Sequence, residues 1–410
     1  MTPPSCRFCD TPLEHMVVDL GVTPLANDYL SAERLREPEA TYPLRALVCT
    51  RCWLVQTDAF IAAEDIFSHY AYFSSYSASW VEHARQFTVM ARERFGLTEA
   101  SRVVEIASND GYLLRHFIDA GIPVLGIEPA ANVADVARAA GVPTESRFFG
   151  AETASDLVAR GLSADLLIGN NVFAHVPDIN NFVAGLATAL KADGVVSLEF
   201  PHLLQLMQNR QFDTIYHEHF FYFSLLAVET VFARHGLKLF DVEELATHGG
   251  SLRILGCRAD SNAHRVGPGL AKVRADEAAA ELHRVETYAA FQASIEPIRR
   301  DLNAFLHRAR AEGKHVAAYG AAAKGNTLLN FCGVTADLID YVVDSNPHKQ
   351  NHFLPGSRLP IHAPQKMAET RPDYVLILPW NIKDEIMATH DIQAWGGRFV
   401  VPVPALAILP

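Results

Sequence analysis

The sequence predicts an α/β protein in three parts: a small N-terminal metal-binding unit followed by two domains built on parallel sheets. Three observations carry this. Two C-x-x-C pairs, Cys6/Cys9 and Cys49/Cys52, bracket the first segment. Short apolar runs alternate with helical stretches from Val103 to Phe200, and a second alternation of the same kind runs from His315 to Trp380. Such alternation argues for parallel strands covered by helices. A chain of 410 residues is too long for one ordinary domain, and the divisions fall at residues 1–62, 63–259 and 260–410.

In the first unit, each knuckle can place two thiolates on one face of a tight turn. Together they supply the four sulfurs of a tetrahedral zinc site. Cys257 and Cys332 stand alone, so the pattern favours metal over disulfides. Four protein ligands close the coordination sphere, which makes the zinc structural. A metal also supplies stability that a unit of about 60 residues lacks.

The second unit begins with a helical stretch around 78 to 96. The strand Val103–Ile106 then runs into the turn Ala107-Ser108-Asn109-Asp110-Gly111. A second strand ends at Glu128, a third near Asn171 and a fourth near Phe200. Ligands of such sheets sit at the carboxyl ends of the strands. Glu128 is placed to accept hydrogen bonds from ribose hydroxyls. The G-x-G-x-x-G fingerprint of dinucleotide sites is absent. The acidic first turn, with Glu105, Ala107, Asn109, Asp110 and Gly111, suits a cofactor with a positive end and no phosphate. The sulfonium and amino groups of S-adenosylmethionine fit it. Asn171 and His175 lie at the same cofactor edge.

The densest chemical cluster is Tyr216-His217-Glu218-His219-Phe220-Phe221-Tyr222-Phe223. Its histidine spacing excludes the H-E-x-x-H zinc helix. If the segment is helical, Tyr216 and His219 share a face. If it is extended, His217 and His219 share one face and Tyr216 and Glu218 the other. Either way a base, a phenol and a carboxylate fall within one aromatic segment, where burial favours the neutral histidine a general base requires.

A long polar helical stretch, roughly 262 to 312, is expected to bridge into the third unit. There, Gly320-Ala321-Ala322-Ala323-Lys324-Gly325-Asn326-Thr327 lacks Walker order but can present backbone N–H groups and Lys324 to an anion at a helix start. The loop from Asp344 to Gln350 closes a second strand. The domain reads as nucleotide-binding or as a structural cap.

The net charge of −12 opposes nucleic-acid binding. No window reaches the roughly 20 apolar residues of a membrane span. The first residues show no basic patch followed by an apolar run, so no secretory signal is expected and a cytoplasmic location is.

Read together, these residues resemble the nucleotide-sugar C-methyltransferases of deoxysugar biosynthesis. The resemblance rests on both cysteine knuckles, the E-I-x-x-N-D-G turn, the N-x-x-x-H stretch at Asn171 and His175, and the Y-x-E-H-F-F-x-F-S block. It extends to H-G-G at 248–250, Y-G-A-x-x-K at 319–324 and D-x-x-P-x-K-Q at 344–350. It covers nearly the whole chain. It implies a zinc-binding domain, a class I S-adenosylmethionine-dependent methyltransferase core and a C-terminal Rossmann-like domain, with the sugar nucleotide between the last two. It implies zinc on Cys6, Cys9, Cys49 and Cys52, and an active site of His219, Tyr216, Glu218 and His175. It places Tyr70 and Tyr72 on the substrate side, and Tyr76, Lys324, Asn326, Asp344 and Lys349 join them as substrate-binding candidates. The expected reaction is methylation at C3 of a dTDP-linked 4-keto-6-deoxy sugar through an enolate. O- or N-methylation of a sugar or natural-product scaffold is the alternative. A monomer or weak homo-oligomer is expected. Two positions depart from the family pattern: Ala107 stands where many methyltransferases carry Gly, and His217 where the block carries Asp.

Overall fold

The structure, a computed structural model, describes residues 4–58 and 74–410. Three sheets organise it. The N-terminal sheet is antiparallel, in the order His15–Thr23, Tyr42–Val48, Val55–Thr57 and Phe221–Tyr222. Leu44, Ala46 and Val48 recur at period two on one buried face, while Leu47 on the other packs with the cysteines. The fourth strand comes from the aromatic block, so that segment is shared between the first two units.

The middle sheet has seven strands. Numbered along the chain, their spatial order is 3-2-1-4-5-7-6. The last strand, Ser251–Arg258, inserts antiparallel between Leu190–Pro201 and Leu237–Leu245. The others are parallel. Strands such as Val103–Ile106 are buried along their whole length, because helices cover both faces. The order reverses between Val103–Ile106 and Ala164–Asn170, the position at which sheets of this kind bind ligands. The helix Ala78–Phe95 begins at Ser77, whose side chain accepts from Trp80 N, and ends at Gly96 in the left-handed region.

The third sheet has six strands in the order 3-2-1-4-5-6, parallel except for the edge strand Ala407–Leu409.

The long helix expected over 262 to 312 is instead three helices, Gly269–Ala279, Val285–Ala289 and Phe291–Ala311. The first ends where Glu281 adopts φ +55° and Leu282 N donates back to Glu277 O, which turns Leu282 into the core. No glycine marks that turn. The bridging role stands: Leu270 and Val273 join the middle core, while Ile295, Ile298 and Leu302 join a core shared by the third sheet and the N-terminal sheet. Among the described residues no helix is long and apolar enough to cross a membrane.

Candidate active site

The four knuckle sulfurs converge, all within 4.8 Å of one another. Cys6 and Cys52 are 3.6 Å apart, Cys9 and Cys49 3.5 Å, and Cys9 and Cys52 3.7 Å. Four sulfurs about 2.3 Å from a tetrahedral ion would stand about 3.8 Å apart, so the donor set fits zinc. The knuckle also grips the neighbouring units. Arg7 donates to the carbonyls of Thr57 (2.6 Å) and Phe220 (2.9 Å), and its guanidinium lies over the Phe221 ring. Asn180 of the middle domain donates to the carbonyls of Arg7 and Phe8.

At the reversal point, the first turn is built from three left-handed residues, Ala107, Asn109 and Gly111. Ala107 thus occupies the conformation glycine adopts without steric cost. Glu128 does not point away as a bare acceptor: its carboxylate takes Asn109 N at 3.0 Å and Ala130 N at 2.9 Å. Asn109 Oδ1 accepts from Ser74 N, and Asp110 Oδ2 from Ser75 N and Oγ. Ser74 and Ser75 therefore cover the turn, which their sequence context did not reveal. Tyr76 is in the same short helix and exposed. Tyr70 and Tyr72 lie outside the described residues. Glu105 is buried, and burial beside Glu128 and Asp110 holds its carboxyl well above the ordinary range. Among the described residues, Glu105 Oε2 and Asp110 Oδ1 are buried without a hydrogen-bond partner. Buried acidic oxygens left unsatisfied are costly, and a cationic ligand relieves them. The donor set fits the positive end of S-adenosylmethionine.

The aromatic block is neither a helix nor a strand at its reactive end. Residues 216–219 form a turn closed by His219 N to Tyr216 O (2.9 Å), followed by the strand Phe221–Tyr222. The turn brings together the pair a helix would have: the Tyr216 and His219 rings are 4.0 Å apart. His219 Nδ1 lies 2.9 Å from Thr214 O. A carbonyl can only accept, so Nδ1 carries the proton and Nε2 the lone pair. The same reasoning applies to His175, whose Nδ1 lies 2.9 Å from Glu218 O. The two imidazoles are 4.6 Å apart. Burial drives His175 down to about 4, and burial first, then the repulsion a proton on His219 would meet from protonated His175 or His248 and from Lys324, holds His219 well below its usual value. Both are neutral at pH 7.

Glu218 is buried, and burial raises its carboxyl to about 7. Asn27, from the N-terminal unit, donates to its Oε1 at 2.6 Å. His217 faces elsewhere: Nε2 bonds Pro43 O at 3.1 Å and the ring meets Tyr42 edge-on. Its side chain anchors the segment on the N-terminal sheet. Asn171 Nδ2 donates to His248 Nε2 at 3.1 Å, which brings His248 to the cofactor edge. His248 belongs to the H-G-G motif but carried no role in the sequence reading.

The third domain closes the site. Lys324 is buried, its Nζ donating to Asn381 Oδ1 (2.7 Å) above the Trp380 ring. The Trp380 indole in turn donates to the buried Asp213 carboxylate at 2.6 Å. Asn326 bonds the carbonyl of Ala26, and Thr327 that of Ile215. Asp344 accepts from Ala321 N and Asn346 N, and Lys349 donates to Ala321 O. Lys324 is near enough for its charge to bear on His219 and His248, while Asp344 fastens the third domain's own loops and Asn326 and Lys349 also touch the N-terminal unit at Ala26 and Tyr29.

Three family models match the chain in succession: a zinc binding domain over residues 6–67, a methyltransferase domain over 80–242 and a C-methyltransferase C-terminal domain over 246–404. The chain is 39% identical over 400 residues to C-methyltransferase NovU of Streptomyces niveus, covering 97% of this chain and 95% of that protein. The chain belongs to the C-methyltransferase family. It is an S-adenosylmethionine-dependent enzyme with a zinc-binding domain, a class I methyltransferase core and mixed α/β sheets. Among solved structures, it is similar to magnesium protoporphyrin IX methyltransferase of Synechocystis with bound SAM (14% identity, TM-score 0.34, 43% of this chain and 81% of that one). It is also similar to the YcgJ protein of Bacillus subtilis (13% identity, TM-score 0.35, 44% and 100%).

In this C-methyltransferase the cofactor turn has little tolerance for added atoms. A Cβ on Gly111, at φ +77°, would sit 2.7 Å from Val142 Cγ2. Gly111→Ala is therefore expected to cost about 1–3 kcal/mol in stability and to weaken S-adenosylmethionine binding. Thermal melting and titration calorimetry of the variant check this. Unchanged values would separate Gly111 from the cofactor turn.

Proposed function

We propose that the enzyme methylates C3 of a 4-keto-6-deoxy sugar carried on a nucleoside diphosphate, dTDP in the first instance. Residues 1–62, 63–259 and 260–410 act as its zinc-binding, cofactor-binding and nucleotide-sugar-binding domains. One observation carries the reading: His219 is a buried, neutral imidazole whose Nδ1–H is fixed on Thr214 O, leaving the Nε2 lone pair to act as base beside the Tyr216 ring. A hydrogen on C3 is acidic because the adjacent ketone delocalises the charge. His219 Nε2 takes that proton, and the electron pair of the C–H bond moves onto the ketone oxygen. Tyr216 donates to the developing enolate oxygen. His175 keeps the pocket polar without adding a charge that would compete for the proton. Glu218, with its carboxyl raised to about 7, is protonated in part at neutrality, and that form can donate to a sugar oxygen. Lys324 brings a positive charge to the same pocket from the third domain. S-adenosylmethionine supplies the electrophilic methyl group. Asp110 faces its positive end with the protonated Glu105 beside it, and Glu128 lies toward its ribose hydroxyls, with Asn109, Ala107, Gly111 and Asn171 around it.

The test is mass spectrometry of a reaction run in deuterated water with S-adenosylmethionine and dTDP-4-keto-6-deoxyhexoses. The expected product gains one methyl on carbon and loses the C3 hydrogen. Without S-adenosylmethionine, C3 should still exchange with solvent. Methyl gain on oxygen or nitrogen with no exchange at C3 would replace this reading by O- or N-methylation.

A further inference from the structure

The polar contacts of the site do not stop at the middle domain. The loop from Pro24 to Leu30 leaves the N-terminal sheet and runs between the aromatic block and the third domain. Asn27 Nδ2 donates to Glu218 Oε1 at 2.6 Å, across 191 residues of sequence. The neighbouring Tyr29 hydroxyl donates to Ala321 O at 2.6 Å and lies 3.2 Å from Asn27 Oδ1. Asn326 Nδ2 holds the carbonyl of Ala26, and the Lys349 ammonium sits 5.5 Å from the centre of the Tyr29 ring. The loop is therefore pinned on both sides. Glu218 is 4% exposed, and among the described residues its second oxygen, Oε2, is buried without a partner. A buried carboxyl with one oxygen held and the other unsatisfied is arranged for a ligand.

We infer that Asn27 is a positioning residue of the methyl-transfer site: its amide holds Oε1 of Glu218 and leaves Oε2 to meet the sugar. The zinc-binding domain then contributes to the site through a side chain as well as through stability. The inference rests on the sugar reading given above, and it makes a claim about Glu218 that can be checked without any sugar.

The experiment uses the full chain with its zinc and two readouts. In protein labelled with carbon-13 at the glutamate carboxyl, the resonance lost in Glu218→Gln reports the titration of that group. Asn27→Ala removes a donor that favours the ionised form, so the midpoint should move to higher pH. Lys349 and Tyr29 face the same carboxyl and remain in the variant. In the methyl-transfer assay Asn27→Ala should lose about 10- to 100-fold in kcat, with a smaller change in KM. Combining it with Glu218→Gln should add little to the loss from Glu218→Gln alone. Asn27→Ser provides the same comparison should Asn27→Ala fail to fold. A midpoint that does not move, or losses that multiply in the double variant, would overturn the inference. A shifted midpoint in a protein that turns over no 4-keto sugar would remove the substrate reading and leave the placement of Glu218 by Asn27 standing.

Discussion

Replacement of His219 by alanine is expected to lower methyl transfer by roughly 10²–10⁴-fold, the range a positioned general base supplies. S-adenosylmethionine affinity should be nearly unchanged, because the cofactor turn at 107–111 makes no use of this side chain. Solvent exchange at C3 should fall with turnover, since both need the same proton removed. His175 presents the same tautomer 4.6 Å away, so it is the natural competitor for the role. The measurement is therefore kcat for His219→Ala and His175→Ala side by side, with calorimetry on the cofactor. A near-normal kcat in His219→Ala and a collapse in His175→Ala would transfer the base to His175. The pH dependence has a definite sign. His219 is held well below its usual value by burial and nearby positive charge, so its lone pair is available at neutrality. The limb from His219 should appear only on acidification through that lowered range, with none from His219 between about pH 6.5 and 8; a fall in activity as pH rises through about 7 would belong to loss of the Glu218 proton.

The parts of the molecule that were legible in the sequence are those written over short distances. Two C-x-x-C knuckles fix a donor set by spacing, and strand–helix alternation exposes two parallel sheets. The pairing of Tyr216 with His219 was legible because three-residue separation brings side chains together in a tight turn as well as in a helix. What stayed hidden depends on distant partners. His217 sits between two active-site candidates, yet it is turned toward Pro43 by the N-terminal sheet. Asn27 meets Glu218 from far up the chain, and its loop carries no local signal. The loop around Lys324 reads as an anion cradle, but Asp344 and Lys349 fasten the preceding backbone at Ala321, and Lys324 itself rests on Asn381 and Trp380. The break in the stretch 262–312 follows from a left-handed Glu281, a choice made by the burial of Leu282 and not by any helix-stopping residue.

Removal of zinc should abolish methyl transfer while sparing cofactor binding. Structural zinc contributes about 10–16 kcal/mol of apparent binding free energy in small zinc domains, as large as a typical domain's whole stability of about 5–15 kcal/mol. Loss of the metal would free both knuckles, and the consequence can be followed residue by residue. Gln56 Nε2 donates to Cys6 Sγ, and its Oε1 receives Arg7 N. Arg7 holds the Phe220 carbonyl, one residue from His219, the proposed base. Thr57 Oγ1 donates to the carbonyl of His219 itself at 2.8 Å. The strand Val55–Thr57 pairs with Phe221–Tyr222, so the knuckle, the sheet edge and His219 form one connected unit. Releasing Cys49 and Cys52 unfastens the turn that precedes Val55–Thr57, and His219 loses its backbone anchors together. The cofactor turn hangs instead on the strands of the middle sheet. The measurement is metal content by atomic absorption after treatment with a strong chelator, with turnover and S-adenosylmethionine affinity on the same sample. Cys49→Ser should reproduce the loss of turnover and lower the melting temperature. A zinc-depleted protein with full turnover would mean that the hydrogen bonds from Arg7 and Thr57 hold His219 in place without the metal.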